Sequence, residues 1–200
     1  MKQKNKLWSG AFAKVTDSSV EEFTASLQFD QALYSEEIAC SLAHTKMLKK
    51  QKIISANKAK NITAGLNKIK KQIENNKFNF NIKNEDIHLS IEAALYKLIG
   101  KDAGYLHTGR SRNDLIATDL RMYCMVASKE IINLLMNLRS SFIAMAKAEQ
   151  ATVFPGYTHL QVAQPILLAH HLLAYEAMLT RDTHRFMNVI QQTNIMPLGS

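Results

Sequence analysis

The 200-residue sequence contains few of the residues that interrupt helices, with seven glycines and three prolines in its whole length. A turn-rich β protein needs such residues at its many tight turns, so their scarcity argues against that class and favours long helices. Aromatic residues make up only 8% of the chain although 46% of it is hydrophobic, which indicates an aliphatic core. We therefore predict an all-α fold.

Membrane and secretion signals are also missing. No apolar run approaches the roughly 18 residues of a membrane-spanning helix, and the basic start MKQKNKLWSGAF has no apolar segment behind it. The two cysteines, Cys40 and Cys124, have neither CxxC spacing nor a cluster of histidines nearby, so we interpret them as reduced thiols. These absences predict a cytoplasmic protein with no membrane partner and no metal site.

Acidic residues are nearly absent between Lys46 and Lys77, where ten lysines stand against the single acid Glu74 and contribute much of the net charge of +8. Such an excess is compatible with a nucleic-acid partner. However, the spacing of these lysines leaves an apolar helical stripe free, formed by Ile62, Leu66, Ile69 and Ile73. Because no aromatic residues interleave the lysines as a stacking surface would require, we interpret them as the solvated face of an amphipathic helix and predict no nucleic-acid binding.

The chain divides into two parts that differ in the length of their predicted helices. Residues 1–106 read as a small domain of short helices, and residues 107–200 as the start of a domain of long helices. The second part has neither glycine nor proline from Arg110 to Phe154, and its apolar residues recur at steps of three or four, at Ile116, Leu120, Tyr123, Ala127, Ile131, Leu134, Leu138, Phe142 and Met145. A helix of about 40 residues is about 60 Å long and cannot bury this stripe within one short chain, so we predict a helical bundle between subunits.

The Pro155-Gly156 pair ends this pattern. It predicts a loop that carries Tyr157, Thr158 and His159, and Pro165 is well placed for the first turn of the next helix. A loop histidine can act as a general acid or base, with Thr158 holding a substrate oxygen beside it. The alternative is a histidine with a purely structural hydrogen bond.

The stretch HTGRSRNDLIATD concentrates anion-binding groups just before the long helix. Gly109 permits a tight turn, and the segment from Ser111 to Asp114 would form the cap and first turn. Free backbone N–H groups and the helix dipole then face outward, and Arg110 and Arg112 add positive charge, so the turn can hold a carboxylate or phosphate. The alternative is that Ser111 or Asn113 only caps the helix, while the arginines pair with acids such as Asp119.

Both stretches flank the same long helix, so they cannot meet within one subunit. They can meet if bundles pack antiparallel between subunits. This arrangement predicts active sites at chain interfaces.

Several motifs in this order resemble argininosuccinate lyase, of the aspartase/fumarase superfamily. They are KLWSGAF, FTASLQFD, EDIHLSIE, HTGRSRND, FPGYTHLQVAQP and the final PLGS. The resemblance implies β-elimination of L-argininosuccinate to L-arginine and fumarate, the last step of arginine biosynthesis, in a homotetramer that uses no metal or organic cofactor.

The resemblance also implies roles for particular residues. His159 matches the catalytic histidine of the family, whether it takes the Cβ proton itself or supports another base. Substrate contacts are implied for Ser26, Arg112, Asn113 and Thr158, and supporting positions for Asp30, Asp86, His88, Thr108 and Ser111.

The third motif of the family, a loop with the catalytic serine, lies beyond position 200 in such proteins. We therefore expect the 200-residue chain to be inactive by itself. A different class of function, a non-catalytic helical assembly protein derived from this family, is the alternative.

Overall fold

The computed structural model describes residues 16–81 and 84–197, so KLWSGAF at residues 6–12 and the last three residues of PLGS lie outside the described ranges. The α-helices are α1 (Ser18–Thr24), α2 (Leu27–Asp30), α3 (Tyr34–Lys50), α4 (Ala56–Glu74), α5 (Ile87–Ile99), α6 (Arg112–Ala148) and α7 (Leu168–Thr193). Two 3-10 segments, Gln31–Leu33 and Gly100–His107, precede α3 and follow α5. The strands β1 (Val153–Thr158) and β2 (Gln161–Leu167) form a single antiparallel hairpin. The all-α prediction is confirmed, and over the described ranges no helix is long and apolar enough to cross a membrane.

Two compact units make up the chain, Met1–Asp119 and Leu120–Ser200. The division falls inside α6, and the described partner of the buried Asp119, His88, belongs to the first unit. The domain boundary that we place between residues 106 and 107 stays a prediction.

The core of the first unit lies between α3, α4, α5 and the 3-10 segment that follows α5. Its best buried aliphatic side chains are Ile38, Leu48, Ile62, Leu66, Ile69, Ile87, Ile91 and Leu95. Three members of the stripe predicted on α4 belong to this set, and the fourth, Ile73, is partly buried beside it. Helix α4 approaches α5 closely at Gly65, where a Cβ atom would lie 2.5 Å from Cδ1 of Leu95.

Replacing Leu66 with alanine is expected to destabilise the first unit by about 2–5 kcal/mol, because the side chain is fully buried and its loss leaves a cavity. Thermal unfolding of the complete protein measures the change. Leu98→Ala is the control, since Leu98 is 37% exposed on α5 and should cost much less. Equal destabilisation by the two variants would contradict the assigned core.

Helix α6 confirms the predicted long helix, with 37 residues and a length of about 55 Å at 1.5 Å per residue. In the second unit it pairs with α7. Arg139 Nε donates to Glu176 Oε1 at 2.8 Å, and the rings of Phe142 and Tyr175 stack at 5.9 Å. Much of the apolar stripe of α6 nevertheless stays exposed in the single chain, with Leu134 at 67%.

The prediction of a loop after Pro155-Gly156 is wrong, because the chain forms a β-hairpin there. Thr158 ends β1, Pro165 lies within β2 opposite Pro155, and α7 begins only at Leu168. His159 and Leu160 form the two-residue turn with φ of 51° and 62°, the left-handed conformation that a tight hairpin turn requires. Pairing with β1 keeps Pro165 extended, so it does not start the helix.

Candidate functional site

The turn before α6 has the predicted geometry. Gly109 adopts φ of 61°, and the side chain of Thr108 donates to the Tyr105 carbonyl at 2.8 Å. Ser111 caps the helix, since its Oγ accepts from the backbone N–H of Asn113 at 3.2 Å. Asn113 itself is exposed. The first-turn N–H groups of α6 therefore lie beside a side-chain amide that can donate and accept.

The two arginines of this turn both form internal contacts. Arg112 Nη1 lies 3.2 Å from both oxygens of Asp86, and its Nη2 donates to Glu92 Oε2 at 3.0 Å. Arg110 Nη1 donates to Ser41 Oγ at 3.0 Å. Arg112 therefore pairs with acids, as the alternative interpretation predicted. Its partners are Asp86 and Glu92 and not Asp119.

Glu92 was not predicted as a site residue. It also contacts His107, whose Nε2 lies 3.2 Å from Glu92 Oε2. Burial raises the pKa of Glu92, but the hydrogen bond and charge of His107 and the charge of Arg112 outweigh it and lower that pKa overall. The spacing within EDIHLSIE gave no signal, because Glu92 follows the N-cap Asp86 by six residues and such residues do not share one helix face.

Three of the predicted residues meet at the start of α5. Ser26 Oγ donates to Asp30 Oδ2 at 2.6 Å, and Asp30 Oδ1 accepts from the backbone N–H of Ile87 at 3.1 Å. Asp86 caps α5 by accepting from the N–H of Leu89 at 2.6 Å. Burial raises the pKa of Asp30 despite the hydrogen bond from Ser26, and the nearby charge of Asp86 adds to the rise. Through Asp86, this group joins Arg112 and the turn before α6.

His88 lies in a buried cluster next to this group. Its Nδ1 is 2.7 Å from Glu37 Oε2 and 3.7 Å from Asp119 Oδ2, and all three side chains are at most 4% exposed. Burial raises the pKa of Glu37, but the hydrogen bond and charge of His88 outweigh it and bring the pKa down to about 2. Burial and then repulsion from Glu37 raise the pKa of Asp119 to about 9. Asp119 is therefore the protonated member of the pair at neutral pH.

The protonation state of Asp119 also explains its hydrogen bonding. As a carboxylate it has no hydrogen-bond donor for either oxygen among the described residues. As an acid it can donate to Glu37, the neighbour that raises its pKa. Glu37 was not predicted, because its contact with His88 spans 51 positions and no local pattern marks it.

Donor atoms of Glu37, His88 and Asp119 lie within 4.8 Å of one another, close enough to be shared by one metal ion. His88 Nδ1 and Glu37 Oε2 are already joined by a hydrogen bond, and the positive charge of Arg110 acts on both carboxyls. This donor set therefore fits a hydrogen-bonded network better than a metal site.

Replacing Asp119 with asparagine is expected to flatten the dependence of stability on pH. With a pKa of about 9 against 3.8 for an ordinary aspartate, folded Asp119 holds a proton that the unfolded chain has lost between those values. Stability therefore falls as pH rises through that window, and a side chain that does not titrate removes this fall.

Thermal midpoints of the complete protein at about pH 5 and about pH 8 test the window. Asp102→Asn is the control, because Asp102 is a partly buried carboxylate that accepts from Asn61 at 2.8 Å outside the cluster. A difference between the two midpoints that Asp119→Asn leaves unchanged would contradict the assignment.

Thr158 and His159 lie in the second unit, at the tip of the hairpin. Beside them is a cavity of about 380 Å³ lined by Phe154, Pro155, Gly156, Tyr157, Thr158, Gln164, Ile166 and His171. The ring of His171 on α7 stacks on Phe154 at 5.8 Å. This contact joins α7 to the base of the hairpin.

A family model described as lyase matches residues 10–200. An argininosuccinate lyase of Dehalococcoides mccartyi strain CBDB1 is 49% identical over 189 residues, which are 94% of this chain and 41% of that protein. The argininosuccinate lyase of Geotalea daltonii is 49% identical over 98% of this chain and 43% of its own length. The predicted resemblance to argininosuccinate lyases is confirmed, and the chain spans about two-fifths of these relatives.

Solved structures agree on the fold. An EDDS lyase in complex with formate superposes with a TM-score of 0.73 at 28% identity, covering 90% of this chain and 35% of that chain. A fumarate lyase:delta crystallin from Brucella melitensis gives 0.72 at 20% identity, covering 90% of this chain and 46% of that chain. The second likeness is evidence for the fold alone.

Proposed function

Because this chain belongs to the lyase family, whose model matches residues 10–200, we propose that the complete protein cleaves L-argininosuccinate to L-arginine and fumarate. The observation that carries the proposal is the 49% identity to proteins named argininosuccinate lyase. The reaction is a β-elimination that breaks a carbon–nitrogen bond. We propose that it needs no metal or organic cofactor and takes place in the cytoplasm as part of arginine biosynthesis.

The turn before α6 supports binding of a substrate carboxylate. Removal of the Cβ proton builds negative charge on the neighbouring carboxylate, and preorganised donors stabilise such charge. Arg112 is already balanced by Asp86 and Glu92. In this proposal, the exposed side-chain amide of Asn113 contacts the substrate carboxylate, and Arg112 exchanges part of its contact with Asp86 and Glu92 for a contact with that carboxylate.

Ser26 is proposed to complete the site in the first unit. Its hydroxyl donates to Asp30, and the backbone N–H groups of Ser26 and Leu27 donate to the Glu85 carbonyl at 2.8 and 3.1 Å. These contacts hold Ser26 beside the start of α5, where Asp86 meets Arg112. To donate to a substrate oxygen, this hydroxyl exchanges its hydrogen bond to Asp30 for one to the substrate.

His159 is proposed as the acid–base group. It lies in the two-residue turn with Leu160, whose side chain is 95% exposed, so the imidazole is carried at the tip of the hairpin. Thr158, the last residue of β1, would hold a substrate oxygen next to the imidazole.

We also propose that the complete protein is a homotetramer with active sites shared between subunits. Leu120, Leu134 and Met145 on α6 are each more than half exposed in the single chain, which suits a helix that packs against other subunits. A helix of 37 residues separates the turn before α6 from the hairpin after it. A site that uses both stretches therefore takes them from different chains.

The test is to incubate the complete protein with argininosuccinate and to follow fumarate and arginine. Equal amounts of both products are expected. A defined oligomer that releases neither product would reject the enzyme and support the non-catalytic assembly protein instead.

A further inference from the structure

Arg110 points into the first unit. Its Nη1 donates to Ser41 Oγ, and its Nε and Nη2 are buried without a partner among the described residues. The sequence predicts that this arginine is one of the charges that attract an anion. The structure instead places its guanidinium against α3.

Ser41 links Arg110 to the buried cluster. Its Oγ accepts from Arg110 and donates to Glu37 Oε1 at 2.9 Å, while Glu37 Oε2 contacts His88 Nδ1 at 2.7 Å. Asp119 Oδ2 lies 3.7 Å from His88 Nδ1. Ser41 and Asp119 have no exposed surface, and Glu37 and His88 have at most 4%. These side chains come from α3, α5 and α6, so the network joins three helices.

The network holds the turn before α6 from both sides. Arg110 precedes Ser111 and Asn113, and Asp119 follows them two helical turns along α6. Between these two anchors lie the exposed groups that are proposed to bind substrate. Movement of either anchor would displace the first-turn N–H groups, and a hydrogen bond to a carboxylate weakens steeply with such displacement.

We propose that Arg110, Ser41, Glu37, His88 and Asp119 form a positioning network that sets the backbone of the Ser111–Asn113 turn for a substrate carboxylate. The inference rests on the proposed function and deepens it. Arg110 and Asp119 act through the turn and do not touch the substrate, and Asp119 serves as a neutral donor to Glu37. The network thereby assigns Arg110 a role different from that of Arg112, two positions later.

The test uses Ser41→Ala in the complete enzyme, because it removes only the hydroxyl that joins Arg110 to Glu37. We expect the KM for argininosuccinate and the inhibition constant for fumarate to rise about fivefold, the effect of one hydrogen bond, with kcat within about twofold. A purely structural role would lower the thermal midpoint or the active fraction and leave KM unchanged. Arg110→Lys keeps the charge but loses the planar fork, so it should raise KM further.

Asp119 provides a rescue test. Asp119→Asn retains a neutral donor and should keep a KM close to that of the wild type, whereas Asp119→Ala should raise it. Asp102→Asn, outside the network, should change neither constant.

An unchanged KM in Ser41→Ala, or equal KM values in the two Asp119 variants, would overturn the network. The wild-type enzyme is assayed first. If it releases no fumarate from argininosuccinate, the proposed function fails, which is a different result from turnover that Ser41→Ala leaves unaltered.

Discussion

His159→Asn in the complete protein is expected to lower kcat for argininosuccinate by a factor of about 10² to 10⁴, the usual contribution of a general acid or base. Asparagine is the suitable replacement because it tolerates the left-handed conformation, in which His159 has φ of 51°. The hairpin turn should therefore persist while the titrating imidazole is lost. Initial rates of fumarate release over a range of substrate concentrations measure kcat and KM separately.

His184→Asn is the matched control, because His184 is an exposed histidine on α7 outside the proposed site. It should keep wild-type kcat. In His159→Asn, KM should change far less than kcat, since the imidazole acts on the proton rather than on ground-state binding. Undiminished turnover in this variant would remove His159 from the mechanism.

The sequence predicted the helices well wherever a local pattern decided the structure. The stripe of Ile62, Leu66 and Ile69 is fully buried as its 3.6-residue period requires, and α6 begins within two residues of the expected start. The hairpin was missed because strand pairing depends on a partner segment. Pro165 suits both a helix start and an extended strand, and only pairing with β1 decides between them.

Only the part of the site that depends on neighbouring residues in the chain was predictable. The cap at Ser111 and the turn at Gly109 follow from residues next to each other in the chain. The partners of the arginines do not, because Arg112 reaches back 26 positions to Asp86 and Arg110 reaches back 69 positions to Ser41. A motif can therefore indicate that an arginine is needed without indicating whether it faces the ligand or the core.

Two inactive variants, Asn113→Ala and His159→Asn, are expected to regain activity when they are expressed together. The first loses a group in the turn before α6 and the second a group in the hairpin after it, and the 37 residues of α6 lie between them. If each site takes the turn from one subunit and the hairpin from another, random mixing restores both parts at about a quarter of the sites. Activity should thus rise to about a quarter of the wild-type value.

The pairing of Thr158→Ala with His159→Asn is the control for this experiment. Both changes lie in the same hairpin, so every hairpin in a mixed tetramer carries one defect, and no site recovers. If Asn113→Ala and His159→Asn also failed to complement although mixed tetramers formed, the turn and the hairpin would have to act from the same subunit. Recovery only in the mixture of Asn113→Ala with His159→Asn would instead mean that each site combines the turn of one subunit with the hairpin of another.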